Sequence, residues 1–172
     1  MKKITVVFVL LFALAAATVY GETKIEFNTK DLKGKQVTDS IFAENELTMI
    51  NVWGTFCAPC IREMPDLAKL NKANKSKGVR VIGIPIDVVG RGGSIQSREK
   101  RNADAIIDAT KADYTHLVPS KEMLSGFLYG IQAVPATIFV DSSGNQIGDI
   151  YFGARSQKDW QKIIDSILAD KK

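Results

Sequence analysis

The sequence is short of the residues that build staples and metal cages, with two cysteines and one histidine, His116, among 172 residues. A closed zinc site takes four ligands, usually from a second CxxC or a nearby histidine pair, and those partners are missing. No metal or other cofactor is therefore expected. A disulfide-stapled module is excluded on the same grounds, because such domains spread many cysteines to close long loops. The two cysteines that exist, Cys57 and Cys60, are three positions apart. A bridge between them closes so short a loop that it constrains little of the unfolded chain. The pair is badly placed for stability and well placed for chemistry.

A strong excess of one charge is lacking too. The formal charge of +4 includes Lys2 and Lys3, and the chain from Glu22 onward holds 21 basic against 19 acidic residues. The clusters Lys72-Lys75-Lys77-Arg80 and Arg98-Lys100-Arg101 have no interleaved aromatic residues, so they read as solvated faces rather than a nucleic-acid surface. Repeats and low-complexity tracts are also absent.

The one long apolar run is at the start. Met1-Lys2-Lys3 is a basic n-region, Ile4 to Ala17 is almost wholly apolar and ends in the small residues Ala15, Ala16 and Ala17, and Val19-Tyr20-Gly21 follow. This order predicts a secretory signal over residues 1–21, with cleavage after Ala17 or Gly21. The alternative is an N-terminal membrane anchor over residues 4–20, at the short end of what spans a bilayer. Either way the protein is expected to be exported, to the periplasm or the outer face of the cytoplasmic membrane. Residues 22–172 then form one domain, a length that can bury a core.

Within that domain, Leu47 to Trp53 is a short apolar run of strand formers, the pattern of a buried central strand. From Cys57 the period turns helical, with Ile61, Met64, Leu67 and Leu70 on one stripe and Pro65 expected to kink it. Val79 to Ile86 predicts another buried strand, and Asp87 to Ser94, rich in glycine, a loop. Ser97 to Asp113 predicts a helix, Tyr114 to Val118 a short strand, and Lys121 to Leu128 a short helix. Ala136 to Val140 and Gln146 to Phe152 predict a hairpin about the turn Asp141-Ser142-Ser143-Gly144. Ser156 opens a last helix with apolar Trp160, Ile163, Ile164, Ile167 and Leu168. The order predicts an α/β fold, a central mixed β-sheet flanked by helices on both faces.

The CxxC thus falls where a strand ends and a helix begins. Only a thiolate attacks a disulfide, and the unpaired N–H groups of a helix start favour the anion. Cys57 at that start is the expected nucleophile. Cys60, one turn inside and less exposed, is the expected resolving thiol of a redox-active Cys57–Cys60 disulfide. Pro59 lacks an N–H, which costs little in a first helical turn. Two alternatives stay open at this point: a thiol peroxidase of peroxiredoxin type, which needs no second cysteine beside the nucleophile, and a non-enzymatic module that holds a peptide or a metal.

The segment Asn51-Val52-Trp53-Gly54-Thr55-Phe56-Cys57-Ala58-Pro59-Cys60-Ile61-Arg62-Glu63-Met64-Pro65 resembles the active-site stretch of the TlpA/ResA-like thioredoxins, and Val134-Pro135-Ala136-Thr137 resembles their cis-proline loop. The likeness covers most of residues 25–170, with an insertion at about 87–117. It implies a thioredoxin-like fold and an extracytoplasmic thiol–disulfide oxidoreductase. It implies a cis Pro135 that, with Val134, Trp53 and Pro59, shapes the site and the groove for a partner chain, although Trp53 is read as core rather than catalytic. Glu63 would be a carboxylate near the thiols that tunes them and shuttles protons; the alternative is an exposed helix glutamate beside Arg62. Asn51 stands where many thioredoxins have a buried Asp. Phe56 replaces a common tryptophan and is read as retained packing.

Strong oxidants of this superfamily usually carry a His between the cysteines, and Ala58-Pro59 supplies no polar group. A reductant is therefore expected. Its partners would be disulfide-containing proteins, with apocytochrome c a candidate through cytochrome c maturation, and a membrane electron-donor protein. His116, alone and without a partner motif, is read as a structural or surface residue.

Overall fold

A computed structural model describes residues 24–90 and 92–171. The expected leader lies outside the described residues. Two short strands, β1 (Asn28–Lys30) and β2 (Gln36–Thr38), open the fold as an antiparallel hairpin. The main sheet has five strands in the order β5-β4-β3-β6-β7. Its centre is β3 (Leu47–Trp53), parallel to β4 (Val79–Pro85) and antiparallel to β6 (Ala136–Asp141), which pairs with β7 (Gln146–Phe152). The short β5 (Thr115–His116) closes the other side against β4. The helices are α1 (Ala58–Ala73), α2 (Ser97–Thr110), α3 (Lys121–Ser125) and α4 (Gln157–Asp170).

Every residue of β3 is buried, because strand side chains alternate between faces and both faces are covered. Leu47, Met49 and Trp53 face a cluster with Met64, Leu67 and Leu70 of α1, Ala103 of α2, and Trp160 and Ile164 of α4. Ile50 and Val52 face the opposite cluster, with Ile25, Phe27, Phe42 of a 3₁₀ turn, and Met123 of α3. Helices therefore lie on both sides. The second face, however, leans more on the N-terminal segment and the 3₁₀ turn than on helix.

Several elements differ from their sequence-based bounds; α3, for one, ends at Ser125 rather than Leu128. Helix α2 stops at Thr110 because Lys111 takes the left-handed conformation (φ 56°), and the Ala112 N–H closes back on the Ile107 carbonyl. Nothing but a glycine would have advertised that stop. Strand β5 is only two residues long because the chain leaves β4 and turns to the N-terminal hairpin, where the Val118 N–H donates to Lys30 O. Helix α1 runs through Pro65 to Ala73, its stripe Cys60, Glu63, Met64, Leu67, Ala68 and Leu70 buried, while Ile61 is only half-buried. The face is thus rotated slightly from the predicted one, which brings Glu63 inside.

Candidate active site

Strand β3 delivers the chain at Trp53, and Gly54 to Phe56 turn it outward so that Cys57 becomes the N-cap of α1. Its sulfur accepts from the Cys60 N–H at 3.3 Å, one of the donors a helix start leaves unpaired. The two cysteines are joined, with an S–S distance of 2.03 Å. Cys57 retains 6% of its surface and Cys60 none. The asymmetry has the expected sense, but Cys57 is barely uncovered rather than openly exposed. Ala58 and Pro59 between them are exposed.

The antiparallel register of β3 and β6, with Val52 opposite Ala136, carries the residues just before β6 to the same end of the sheet. The Val134–Pro135 peptide there is cis, and the Val134 carbonyl lies 3.6 Å from the Cys57 sulfur. Pro135 is buried and its carbonyl accepts the Gly153 N–H at 2.9 Å, which ties this loop to the turn between β7 and α4.

Glu63 is buried, 4% exposed, so it is not an exposed helix glutamate. Asn51 donates its amide to Oε1 at 2.9 Å, and the Arg155 backbone N–H and the Trp160 indole donate to Oε2 at 3.1 and 3.5 Å. Burial pushes the Glu63 carboxyl above the usual range; the Arg155, Asn51 and Trp160 hydrogen bonds and the nearby Arg155 charge pull the other way. Asn51 also donates to the Thr137 hydroxyl at 3.4 Å, while its Oδ1 has no partner. Cys60 and Glu63, three residues apart on one helix, share the buried stripe.

The profile of the AhpC/TSA family matches residues 20–146. This chain belongs to the AhpC/TSA family. Among its relatives, the thiol-disulfide oxidoreductase ResA of Geobacillus thermodenitrificans is 24% identical over 95% of this chain and 93% of its own length. The thiol:disulfide interchange protein DsbE of Vibrio cholerae is 26% identical over 91% of this chain and 79% of its own. A thiol:disulfide interchange protein of the thioredoxin family from Chlorobium tepidum superposes with a TM-score of 0.69 at 25% identity, covering 86% of this chain and 97% of that one. The thioredoxin-like fold and the ResA-like resemblance both hold.

This AhpC/TSA chain treats the other singled-out residues differently. Trp53 is fully buried and donates its indole N–H to His116 Nδ1 at 3.3 Å. It supports the site from behind rather than walling a groove. His116 is buried and faces the Ala112 carbonyl through Nε2 at 3.0 Å, so Nε2 carries the proton; burial lowers its pKa to about 4. It is structural. Phe56 is 71% exposed, which overturns the packing expected of it. The residue ahead of the N-cap sits on an outward turn, and its ring folds back only over Gly54, where a Cβ would meet it at 2.6 Å.

Three contributors to the site in this family member are not legible as such in the sequence. Asp87 accepts from the Thr55 N–H through both oxygens at 3.1 Å and from the Thr55 hydroxyl at 2.5 Å, fastening the turn before Cys57. Trp160 lies on the apolar face of α4, and its only sequence signal is that a buried indole N–H needs an acceptor, here Glu63. Nothing in the sequence pointed to Arg155. Among the described residues no group of three or more His, Cys, Asp or Glu is placed to hold a metal.

Proposed function

We infer that this chain, a thiol–disulfide oxidoreductase, works outside the cytoplasm as a reductant of disulfides in partner proteins. The Cys57–Cys60 disulfide at the start of α1, with only Cys57 reachable, carries the reading. In the reduced protein the Cys57 thiolate attacks one sulfur of the partner disulfide, and the other leaves as a thiolate. Cys60 then gives its proton to the Glu63 carboxylate and attacks Cys57 Sγ. The Cys57–partner bond breaks, the partner leaves with two electrons and both thiols, and the Cys57–Cys60 disulfide remains. A dithiol protein at the membrane restores the reduced state.

Val134 and Pro135 form one lip of the docking surface, with Pro59 on the other side, and an extended segment of the partner lies between them. Apocytochrome c, whose cysteines must be reduced before haem attachment, is a suitable substrate. The leader at residues 1–21 supports export, with residues 22–172 as the working domain in the periplasm or on the outer face of the membrane. The joined cysteines favour dithiol exchange over peroxidase chemistry, which needs no second thiol beside the nucleophile. No polar group lies between them, which supports reduction over strong oxidation.

Cys60→Ser should trap the substrate as a covalent adduct on Cys57, and Cys57→Ser should abolish turnover and capture nothing. A Cys57→Ser protein that keeps its activity would convert the reading to a binding module. A measured potential near about −120 mV, that of a strong periplasmic oxidant, would reverse the direction of electron flow.

A further inference from the structure

The turn joining β7 to α4 passes directly over Glu63, and one side chain fastens it. The Arg155 guanidinium lies over two rings that meet edge to face, 5.2 Å from the centre of Tyr151 and 4.9 Å from that of Trp160. Its Nη1 donates to the carbonyls of Phe152 and Gly153 at 3.2 and 3.0 Å. A weakly hydrated, delocalised cation packed against two aromatic rings suits arginine better than lysine. The same residue's backbone N–H, and the indole of the tryptophan it covers, are two of the three donors on the Glu63 carboxyl. Gly153, bound through its carbonyl by this guanidinium, donates its own N–H to Pro135.

We propose that Arg155 is a positioning residue that latches the β7–α4 turn over helix α1, presenting its own N–H and the Trp160 indole to the Glu63 carboxyl and anchoring the Pro135 loop to the same turn. The inference rests on Glu63 being the proton carrier for Cys60. The titratable groups around Glu63 are few. Arg155 comes from the turn and Tyr114, whose buried phenol feels the Glu63 charge, from the residue before β5; Cys60, on the same helix as Glu63, is held in the disulfide and does not titrate. Strands β3 and β6 present only Asn51 and Thr137, and α4 only Trp160. Arg155 is the one cation of the set.

The test follows the carboxyl carbon of Glu63 by NMR through a pH titration of the oxidised protein, for wild type, Arg155→Ala and Arg155→Lys. The pH profile of disulfide reduction is measured alongside, with Glu63→Gln as reference. Loss of a hydrogen-bond donor and of a nearby opposite charge should raise the Arg155→Ala midpoint by about one pH unit, and the inflection of the rate profile should move with it. Arg155→Lys, which keeps charge without the guanidinium's broad contact with the two rings, should restore less than half of the shift. An unchanged midpoint in Arg155→Ala overturns the latch, whatever happens to the rate. A wild-type midpoint in Arg155→Lys overturns it too, because charge alone would then suffice. A moved midpoint with a rate profile that neither Arg155→Ala nor Glu63→Gln alters supports the latch and removes Glu63 from the proton path.

Discussion

Glu63→Gln is the substitution with the most to reveal. Burial raises the Glu63 carboxyl above its ordinary pKa, so between the unfolded and folded values the native chain holds more protons than the unfolded one. Stability then falls as pH rises through that window, by at most about 1.4 kcal/mol per pH unit. Glutamine cannot ionise and removes the slope. It also fits: its oxygen can take the place of Oε2 before Arg155 N–H and the Trp160 indole. Its amide would occupy the Oε1 position, 2.9 Å from the Asn51 amide nitrogen. A turn of the Asn51 amide brings its unpartnered Oδ1 to face that group, with Thr137 Oγ1 able to donate to it. Urea unfolding of both proteins from pH 4 to pH 8 reads the effect as a difference, in which all other titrating groups cancel. The variant should match wild type at pH 4 and become the more stable of the two as pH rises. Disulfide reduction should meanwhile slow by about a hundredfold, the low end for a lost acid–base group. A stability gap that stays constant with pH, or that favours wild type increasingly above pH 5, would refute the reasoning.

Three further outcomes can be measured on the same footing. Asp87→Ala leaves the Thr55 N–H and hydroxyl without their acceptor and should cost about 2 kcal/mol in urea unfolding; it should also speed amide exchange across residues 54–57. Gly83→Ala drives a Cβ to 2.2 Å from His116 Nδ1, breaking the Trp53 contact, and should destabilise by roughly 1–3 kcal/mol, the usual cost of overpacking. His116 should remain neutral down to about pH 4 in an NMR titration. The unfolded chain protonates it earlier, so its share of stability, about 3 kcal/mol, is present above pH 6.5 and is lost as pH falls toward 4.

What the sequence disclosed and what it hid divide along a physical line. Strand β3 was legible because both of its faces are buried, which forces an unbroken apolar run. The CxxC and Val134-Pro135 were legible as local patterns, and their meeting followed once β3 and β6 were read as strands of one sheet. The failures are residues whose surroundings come from distant segments. Glu63 has its three donors from Asn51, Arg155 and Trp160, none nearer than 12 positions away, so a local reading left its burial open. Phe56 and Trp53 are both aromatic and lie within four residues of Cys57, yet one is 71% exposed and the other wholly buried. Strand direction decides between them: Trp53 still points into the sheet's α1 face, and Phe56 has already left the sheet.

An amide on the strand at position 51 and the buried carboxyl on the helix at position 63 have a mechanical consequence. A carboxylate at position 51 would ride on the central strand of the sheet, fixed by β4 and β6 on either side. Glu63 rides instead on α1, the element that also carries Cys60, and its hydrogen-bond donors are held by the sheet, by the β7–α4 turn and by α4. Any shift of α1 on reduction, when the bond between Cys57 and Cys60 opens, moves thiol and carboxyl together and changes their distance to Asn51, Arg155 and Trp160 rather than to each other. Such a shift would change the proton affinity of Glu63 through three donors, not through one contact. Asn51, which spends its amide on Glu63 and Thr137 and leaves Oδ1 unpartnered, is the one member of the set able to answer a protonated Glu63 by turning in place.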